Sequence, residues 1–443
     1  MGGLFGTDGV RGVANKEVTP ELAFNLGRAG ARFLSAGRAG AAMVLGRDTR
    51  LSGDMLSGAL MAGINSVGVD VVSVGIIPTP AVALLSQKQE YCGGVMLSAS
   101  HNPIEDNGIK FFSGSGYKLS DDQEQEIEQL IQSSDLPRPM GDHVGRFFLQ
   151  EDALERYAQM LAESIDCDLS GLKVVVDCAC GAAFQAAPFV YRQLGASVIA
   201  INDTPDGSRI NVECGSTDTG MVKKLVKATG ADLGIAHDGD ADRVILIDER
   251  GEERDGDYVM AICGSYLQER GELSGQRVVA TAYSNLGLQK ALEQGGVKLE
   301  LAQNGDRYVL EMMLEKGYVL GGEQSGHIIF LNHNTTGDGL LTALKVMEVM
   351  QKKEESLSSL SGILRKYPQV LKNASVSDKD WEEVEAIQSQ IEAGEKRLAG
   401  RGRIHVRASG TEPVIRVMVE GPDADEIEEI ASGLVGVIEG QLG

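Results

Sequence analysis

Strand-length apolar runs alternate with helix-length segments through most of this chain, and that alternation restricts the fold more than any other feature. Residues 42–45 form an apolar run that ends in Gly46-Arg47-Asp48-Thr49-Arg50. A helical segment starts near Ser52, a second run spans 69–74, and a helix near 80–87 leads to a third run at 95–97. Further on, a helix at 152–164 precedes a run at 173–177, a Gly/Ala-rich turn, a helix to Leu194, a run at 197–201 and a helix at 221–229. Residues 233–248, LGIAHDGDADRVILID, read as two apolar strands around a polar loop, and three more runs fall at 278–282, 297–301 and 327–331. Such repetition predicts mostly parallel sheets with helices on both faces. From Tyr367 the order becomes strand, helix, two strands, helix, a smaller α+β unit.

The expected organisation is three similar α/β domains with mixed, mostly parallel sheets, followed by a smaller C-terminal α+β domain. The 443 residues alone suggest about three domains. Pro137-Arg138-Pro139 and Gly141 mark the end of the first unit. The expected boundaries are 1–150, 151–254, 255–366 and 367–443. Residues 3–12, GLFGTDGVRG, read as a glycine-punctuated loop around Asp8 and Arg11. A helix is expected from Pro20, with Leu22, Ala23, Leu26, Ala29 and Phe33 on one face, and 121–132 as a solvated acidic helix.

The net charge of −23 opposes non-specific binding to nucleic acid or to anionic membranes. An anionic substrate would therefore have to be held by local basic clusters. The six cysteines form no CxxC pair and sit among apolar or small residues, as in a reducing compartment. No signal peptide or 18-residue apolar span is visible, the start lacks the Ser/Thr that myristoylation wants, and the expected address is the cytoplasm. Asn334 and Asn373 stand in N-x-S/T triplets that an unsecreted chain would leave bare.

Four stretches carry chemistry. In Ser98-Ala99-Ser100-His101-Asn102-Pro103, the proline stiffens the turn, and small residues before Ser100 let a bulky group approach its Oγ. Ser100 is a candidate nucleophile or phosphate carrier with an exposed hydroxyl, and His101 and Lys110 stand nearby; the alternative is a turn whose hydroxyls cap backbone groups. In His237-Asp238-Gly239-Asp240-Ala241-Asp242-Arg243, three aspartates at alternate positions can converge on one hard cation, with Mg²⁺ favoured. An EF-hand is excluded, because the sixth position is Arg243 rather than Gly and the chain continues as a strand. The remaining alternative is a solvated acidic turn, which three mutually repelling carboxylates between apolar strands disfavour.

Gly322-Glu323-Gln324-Ser325-Gly326-His327 offers donors and acceptors that match sugar hydroxyls, and His327 is either a general base or the start of a strand. Arg407-Ala408-Ser409-Gly410-Thr411-Glu412-Pro413, followed by Arg416, reads as an anion loop with hydroxyl and backbone donors and two arginines, or else as strand-edge arginines on the surface. Asn304-Gly305-Asp306-Arg307 and Gly46-Arg47-Asp48-Thr49-Arg50 put arginines at strand ends, where they serve either a ligand or an Asp–Arg pair that holds a turn.

Taken in order and spacing, SASHNP, DGDADR, GEQSGH and RASGTEP resemble the α-D-phosphohexomutase superfamily across essentially the whole chain. The resemblance implies four domains around a central cleft. It implies that Ser100 carries a phosphoryl group, and that one Mg²⁺ per chain is held by Asp238, Asp240, Asp242 and an oxygen of the phosphorylated Ser100. Arg407, Ser409, Gly410, Thr411 and Arg416 would grip the substrate phosphate, and Glu323, Gln324 and Ser325 the sugar. Lys110, Arg11, Arg243 and His327 would stabilise charge and move protons, with His327 and Lys110 the candidates for the base. A hexosamine or hexose 1,6-bisphosphate would prime Ser100.

Within the superfamily, the start GLFGTDGVRG, the GEQSGH loop and the length resemble the bacterial phosphoglucosamine mutase branch. That branch interconverts glucosamine 6-phosphate and glucosamine 1-phosphate on the way to UDP-N-acetylglucosamine, and its members suggest a homodimer. Small departures, Tyr283 before SNLGL and Asn304 before GDR, lie outside the four motifs. The alternative is a phosphoglucomutase or phosphomannomutase with the same mechanism. A catalytically silent sugar-phosphate binder would have no use for Ser100. A Mg²⁺ phosphatase with an aspartyl nucleophile would need Lys and Thr motifs that are missing, and would leave the Ser100 turn idle.

Overall fold

A computed structural model describes residues 3–6, 8–133, 136–409 and 413–443. They form two compact units, Met1–Thr281 with Glu300–Gly362, and Ala282–Leu299 with Ile363–Gly443.

The larger unit opens with a six-stranded sheet in the order Val10–Val13, Asp106–Ser113, Tyr91–Leu97, Ala42–Arg47, Asp70–Ile76, Phe147–Leu149. The last four of these run parallel. Tyr91–Leu97 is buried at every position, as a parallel strand covered on both faces requires. A turn of only eight residues joins it to Asp106–Ser113, too short for a crossover, so that pair is antiparallel. Residues 3–12 are not all loop: Val10–Val13 is a strand that closes the sheet by pairing Val10 with Ile109 and Arg11 with Gly108. The helix Pro20–Ser35 starts where Thr19 Oγ1 accepts the Leu22 N–H and proline occupies the first turn. The acidic helix Asp121–Gln132 carries a capping box at Ser120.

The second sheet runs Glu253–Arg254, Val244–Asp248, Leu233–His237, Lys173–Asp177, Ser197–Ile201, with the last three parallel. Leu233–His237 and Val244–Asp248 are the antiparallel pair expected around the aspartate loop. In the third sheet Arg277–Thr281 lies parallel to Leu320–Gly322, which is antiparallel to Ile328–Phe330. The Ser100 turn and the aspartate loop therefore both follow the carboxyl ends of strands, the position at which α/β sheets gather ligands.

In the smaller unit an antiparallel sheet, Gln369–Ser375, Val414–Glu420, Arg403–Ala408, packs against the helices Glu385–Leu398 and Ala424–Leu442. Its core includes Ile415, Val417, Ile427 and Leu434. All six cysteines are free thiols, five of them buried. No helix among the described residues is long and apolar enough to cross a membrane.

Candidate active site

The Ser100 turn is built around one arginine. Arg50 is fully buried; its Nη2 donates to Ser100 O at 3.0 Å and Asn102 O at 2.8 Å, and its Nη1 to Asp106 O at 2.9 Å and to Pro103 O. Its Nε pairs with Asp48 Oδ2 at 3.0 Å, so the GRDTR stretch is an Asp–Arg pair that holds a turn. Ser98 Oγ donates to the same Asp48 at 2.6 Å and accepts the Ser100 N–H at 2.9 Å. Held from both sides, Ser100 adopts a left-handed φ of 52°, a conformation uncommon for a residue with a Cβ and one that functional turns retain. Contrary to the sequence expectation, its hydroxyl is not exposed: Ser100 keeps 1% of its surface, and its Oγ donates to Asp238 Oδ2 at 2.5 Å. His101 Nδ1 lies 3.3 Å from that Oγ. Burial, then Arg243 and Arg11, lower the His101 pKa to about 4, so the ring is neutral at pH 7.

The three aspartates converge. Asp238, Asp240 and Asp242 are buried, and each offers a carboxylate oxygen within 4.8 Å of the others. Gly239 makes the approach possible, because a Cβ there would lie 2.5 Å from Ser100 O. Asp240 Oδ2 accepts from Thr79 Oγ1 at 2.6 Å and Lys110 Nζ at 2.9 Å. Burial, reinforced by the charges of Asp242 and Asp240, pushes the Asp238 carboxyl well above its usual range. Burial also raises Asp240, but Lys110 and the bonds from Thr79 and Lys110 outweigh it and hold that group below the usual range. Asp240 Oδ1 and Asp242 Oδ1 are buried without a hydrogen-bond partner. Three crowded carboxylates with orphaned oxygens are a donor set suited to a hard divalent cation.

Cations surround this centre. Lys110 Nζ reaches Asp240 at 2.9 Å, Asp8 at 3.1 Å and Asp242 at 3.7 Å. Burial works against its charge, but Asp240, Asp8 and Asp242 outweigh burial and raise its pKa, so Lys110 remains an ammonium. Arg11 pairs with Asp8, and Arg243 Nε lies 3.8 Å from Asp242 Oδ1. Asp8 in turn binds Lys118 at 2.5 Å, Lys118 binds Asp306, and Asp306 Oδ2 lies 3.5 Å from His327 Nε2. A chain of alternating charge thus runs from the aspartate loop to the imidazole of His327, the last residue of the GEQSGH loop. Arg307 takes no part in it: its guanidinium binds Glu124 at 2.8 Å, and also Asp121.

The sugar-type loop is looser. Ser325 is exposed, and its Oγ stands 3.5 Å from Glu323 Oε2, at the limit of a hydrogen bond. Gln324 does not stand beside them with a free amide; its Nε2 donates to Asp257 Oδ2 at 3.0 Å. In the smaller unit Arg407 and Arg416 are cross-strand neighbours, and Lys379 Nζ donates to Ser409 O at 2.6 Å. Arg407 lies over the Tyr283 ring at 5.9 Å and lines a cavity of about 530 Å³ with Lys379 and Trp381. Gly410 and Thr411 lie outside the described residues.

Sequence reasoning missed Asp8, Lys118 and Asp306 as members of the site, and it gave the segment 332–338 no part in the site. Asn334, which stands in an N-x-T triplet expected to stay bare, is buried; its amide donates to Asp338 Oδ2 at 3.0 Å and Pro80 O at 3.3 Å. Thr335 donates to Gly116 O at 2.6 Å, the Gly337 N–H to His327 Nε2 at 3.2 Å, and the Gly339 N–H to Ala241 O at 3.0 Å. This short polar segment and Gly339 after it therefore tie together the helix at Pro80, the turn at Gly116, the aspartate loop and His327. The available signal was a run of small hydrogen-bonding residues directly before a helix.

Comparison with known proteins covers the whole chain. Four domain families of phosphoglucomutase/phosphomannomutase match in order: α/β/α domain I at 2–138, domain II at 155–251, domain III at 255–367 and the C-terminal domain at 371–436. The phosphoglucosamine mutase of Moorella thermoacetica is 53% identical over 443 residues, covering 99% of this chain and 100% of that protein. That of Desulforamulus reducens is 52% identical over 441 residues, covering 99% of each. Among solved structures, a phosphoglucomutase/phosphomannomutase family protein from Burkholderia thailandensis shares the fold with a TM-score of 0.83 at 24% identity, over 98% of this chain and 97% of that one. The N-acetylphosphoglucosamine mutase of Aspergillus fumigatus, solved with GlcNAc-6P and magnesium, has a TM-score of 0.70 at 17% identity, over 99% and 96%.

Proposed function

The chain belongs to the phosphoglucomutase/phosphomannomutase family of the α-D-phosphohexomutase superfamily and is an isomerase, and from that premise we propose that it interconverts glucosamine 6-phosphate and glucosamine 1-phosphate. The phosphoryl carrier in this reading is Ser100, and the product feeds UDP-N-acetylglucosamine synthesis. The observation that carries it is the placement of Ser100 Oγ: left-handed, buried and 2.5 Å from the first of three converged aspartates. The relatives named phosphoglucosamine mutase favour the amino sugar as substrate.

In the first half of the cycle the Oγ–P bond of phosphorylated Ser100 breaks as phosphorus bonds to the free hydroxyl oxygen of the sugar phosphate, which loses its proton while Ser100 Oγ takes one up. The resulting 1,6-bisphosphate turns over in the site. In the second half its other ester bond breaks, phosphorus returns to Ser100 Oγ, which gives up its proton, and the released sugar oxygen takes one up. No co-substrate is consumed. Lys110, Arg11 and Arg243 offset the negative charge that builds on the moving group. Lys110, enclosed by three carboxylates, serves as a cation rather than as the base, which leaves proton transfer to His327. Arg407, Ser409 and Arg416, with Gly410 and Thr411, hold the phosphate that does not react, and Glu323 and Ser325 hold sugar hydroxyls. Gln324 acts on this loop through Asp257. Asp238, Asp240, Asp242 and an oxygen of phosphorylated Ser100 would hold Mg²⁺, which when bound neutralises phosphoryl charge.

The wider reading includes domain boundaries near 150, 254 and 366, which the four family spans support, and a cytoplasmic address, which the free thiols support. It also includes a homodimer, for which the exposed edge strand with Phe147, Phe148 and Leu149 offers a surface. Sedimentation velocity at micromolar concentration checks the dimer; a monomer there removes it.

Intact mass and peptide mapping before and after incubation with a hexose 1,6-bisphosphate test the central claim. The expected result is one added phosphate, about 80 Da, on Ser100, discharged by glucosamine 6-phosphate. Discharge by glucose or mannose phosphates but not by the amino sugar would keep the mechanism and move the substrate to the neutral hexoses. No phosphate on Ser100 would remove the carrier.

A further inference from the structure

Asp240 is held by Thr79, a residue 161 positions earlier, through two bonds. The Thr79 N–H donates to Asp240 O at 2.9 Å, and Thr79 Oγ1 donates to Asp240 Oδ2 at 2.6 Å. Thr79 opens the helix Thr79–Ser86 between Pro78 and Pro80, and every residue of that helix is buried. A first-turn N–H has no partner within its own helix, so this one can serve the aspartate loop. The Asn334 amide anchors the same helix at Pro80 O, and the Gly339 N–H pins Ala241 O at 3.0 Å. Two successive carbonyls of the loop are thus fixed. The carboxylate oxygens divide in a similar way. Asp240 Oδ2 takes two donors, Thr79 Oγ1 and Lys110 Nζ, while Asp240 Oδ1 is buried without a hydrogen-bond partner. Asp238 Oδ1 accepts the Arg243 N–H at 3.2 Å, and its Oδ2 accepts from the Ser100 hydroxyl, a donor that phosphorylation of Ser100 removes. Asp238 and Asp240 each therefore keep one oxygen for a cation and commit the other to the protein.

We propose that Thr79 is a positioning residue that sets the ion selectivity of the three-aspartate centre. By holding Asp240 Oδ2 it leaves only Oδ1 for a cation, and so favours an ion that takes single carboxylate oxygens over one that takes them in pairs. Mg²⁺ is of the first kind, because it demands a small, near-ideal octahedron. Ca²⁺ is of the second, with a larger and more flexible shell in which carboxylates often supply both oxygens. Lys110 binds the same Oδ2, but from a flexible stem and while also serving Asp8. Thr79 is short, branched at Cβ and tied through its own backbone N–H, so its hydroxyl fixes that oxygen more rigidly. The backbone bond alone would tether the loop whatever the side chain; the hydroxyl is what the selectivity requires. This inference rests on the metal reading of the proposed function and not on the identity of the sugar.

Displacement of Mn²⁺ by Mg²⁺ or Ca²⁺, followed through the paramagnetic resonance of the free Mn²⁺, reads both affinities without reference to turnover. The sample is the full-length protein after incubation with a hexose 1,6-bisphosphate and removal of metal. The deciding quantity is the Ca²⁺ dissociation constant divided by that of Mg²⁺. Thr79→Val deletes the hydroxyl and keeps the backbone bond. In that variant Mg²⁺ binding should weaken on the order of 10-fold, and the ratio should fall by a similar factor. Thr79→Ser, which restores the hydroxyl, should return the ratio most of the way to the parent. Loss of packing alone would weaken both ions alike and leave the ratio in place. An unchanged or raised ratio in Thr79→Val, or a Thr79→Ser protein that behaves like Thr79→Val, overturns the inference. Should Thr79→Val not fold, the parent decides: Mg²⁺ bound at least as tightly as Ca²⁺ upholds the selectivity, and tighter Ca²⁺ overturns it. A parent that binds no Mn²⁺ removes the metal centre and this inference with it. A lowered ratio in a protein that turns over no hexose phosphate would uphold the role of Thr79 and sink the mutase reading.

Discussion

The Ser100 turn and the Glu323–Ser325 loop belong to the same compact unit yet are built by opposite means. Around Ser100 the polar side chains are almost dry, and each is held from more than one segment: Arg50 by four carbonyls and Asp48, Asp240 by Thr79 and Lys110, Ser100 by Ser98 and Asp238. In the sugar-type loop Ser325 stands in solvent, and its contact with Glu323 is barely a hydrogen bond. Moving a phosphoryl group needs charges fixed before the substrate arrives, in a medium where they act strongly. Greeting a sugar that must be bound in two orientations is better done by donors and acceptors that can adjust. Substitutions in the two regions should accordingly fail differently, the first in turnover or folding, the second in affinity.

The largest expected effect is that of Ser100→Ala. Without its carrier the cycle has no first step, and turnover should fall on the order of 10⁵-fold or more. Stability should change by only about 1 kcal/mol, the net value of the hydroxyl's bond to Asp238. Steady-state kinetics paired with urea unfolding separates the two, and appreciable residual turnover would dismiss the phosphoserine mechanism. Next comes Arg50→Met, which strands buried Asp48 and leaves four carbonyls without their donor. Its cost should be about 3–5 kcal/mol of folding stability. An Arg50→Met protein as stable as the parent would mean that the turn is held elsewhere.

How far this contrast was legible in the sequence differs between the two regions. DGDADR between apolar strands announces converging carboxylates, because alternation and repulsion are both local properties. The order of the helices and of most strands was legible for the same reason. Val10–Val13 was not, since Arg11 and Gly12 break its apolar pattern and the residues that pair with it lie nearly one hundred positions downstream. Lys118 and Asp306 are likewise ordinary surface types whose partnership exists only after the first and third sheets are formed. Gln324 has a partner of the same non-local kind: its amide donates to Asp257, a contact that its place between Glu323 and Ser325 does not show.

A smaller effect than either substitution above comes from Asp338, which caps the helix Gly339–Lys353 and is completely buried. Burial raises its pKa from 3.8 to about 6, although the Leu341 N–H, Asn334 and Tyr157 donate to it. A carboxyl whose pKa is higher when folded binds its proton more tightly in the native state. Its contribution is therefore fully present below the unfolded value and is lost as pH rises through about 6. Between pH 4 and pH 7 this group alone should withdraw a few kcal/mol of stability. Urea unfolding across that window should show the decline in the parent and a flatter profile in Asp338→Asn; parallel profiles would mean that Asp338 is already ionised at pH 4.

The smallest effect should be found at Glu323, and it bears most directly on the comparison. Glu323→Gln keeps the size and one acceptor of the side chain but removes its charge, and it leaves the backbone bonds of the loop in place. Stability should stay within about 0.5 kcal/mol of the parent. If the carboxylate faces the sugar, KM for glucosamine 6-phosphate should rise roughly 3–10-fold, the loss of one charged hydrogen bond, with kcat nearly unchanged. An ammonium group on the sugar would feel that lost charge more than a hydroxyl does, so the penalty should be smaller on glucose 6-phosphate. Equal penalties on the two sugars would assign Glu323 to hydroxyls common to both, and amino-sugar selection would then have to come from another part of the site. A fall in kcat at constant KM would place Glu323 among the fixed charges around Ser100, and the division between a rigid centre and an adaptable rim would no longer hold at this residue.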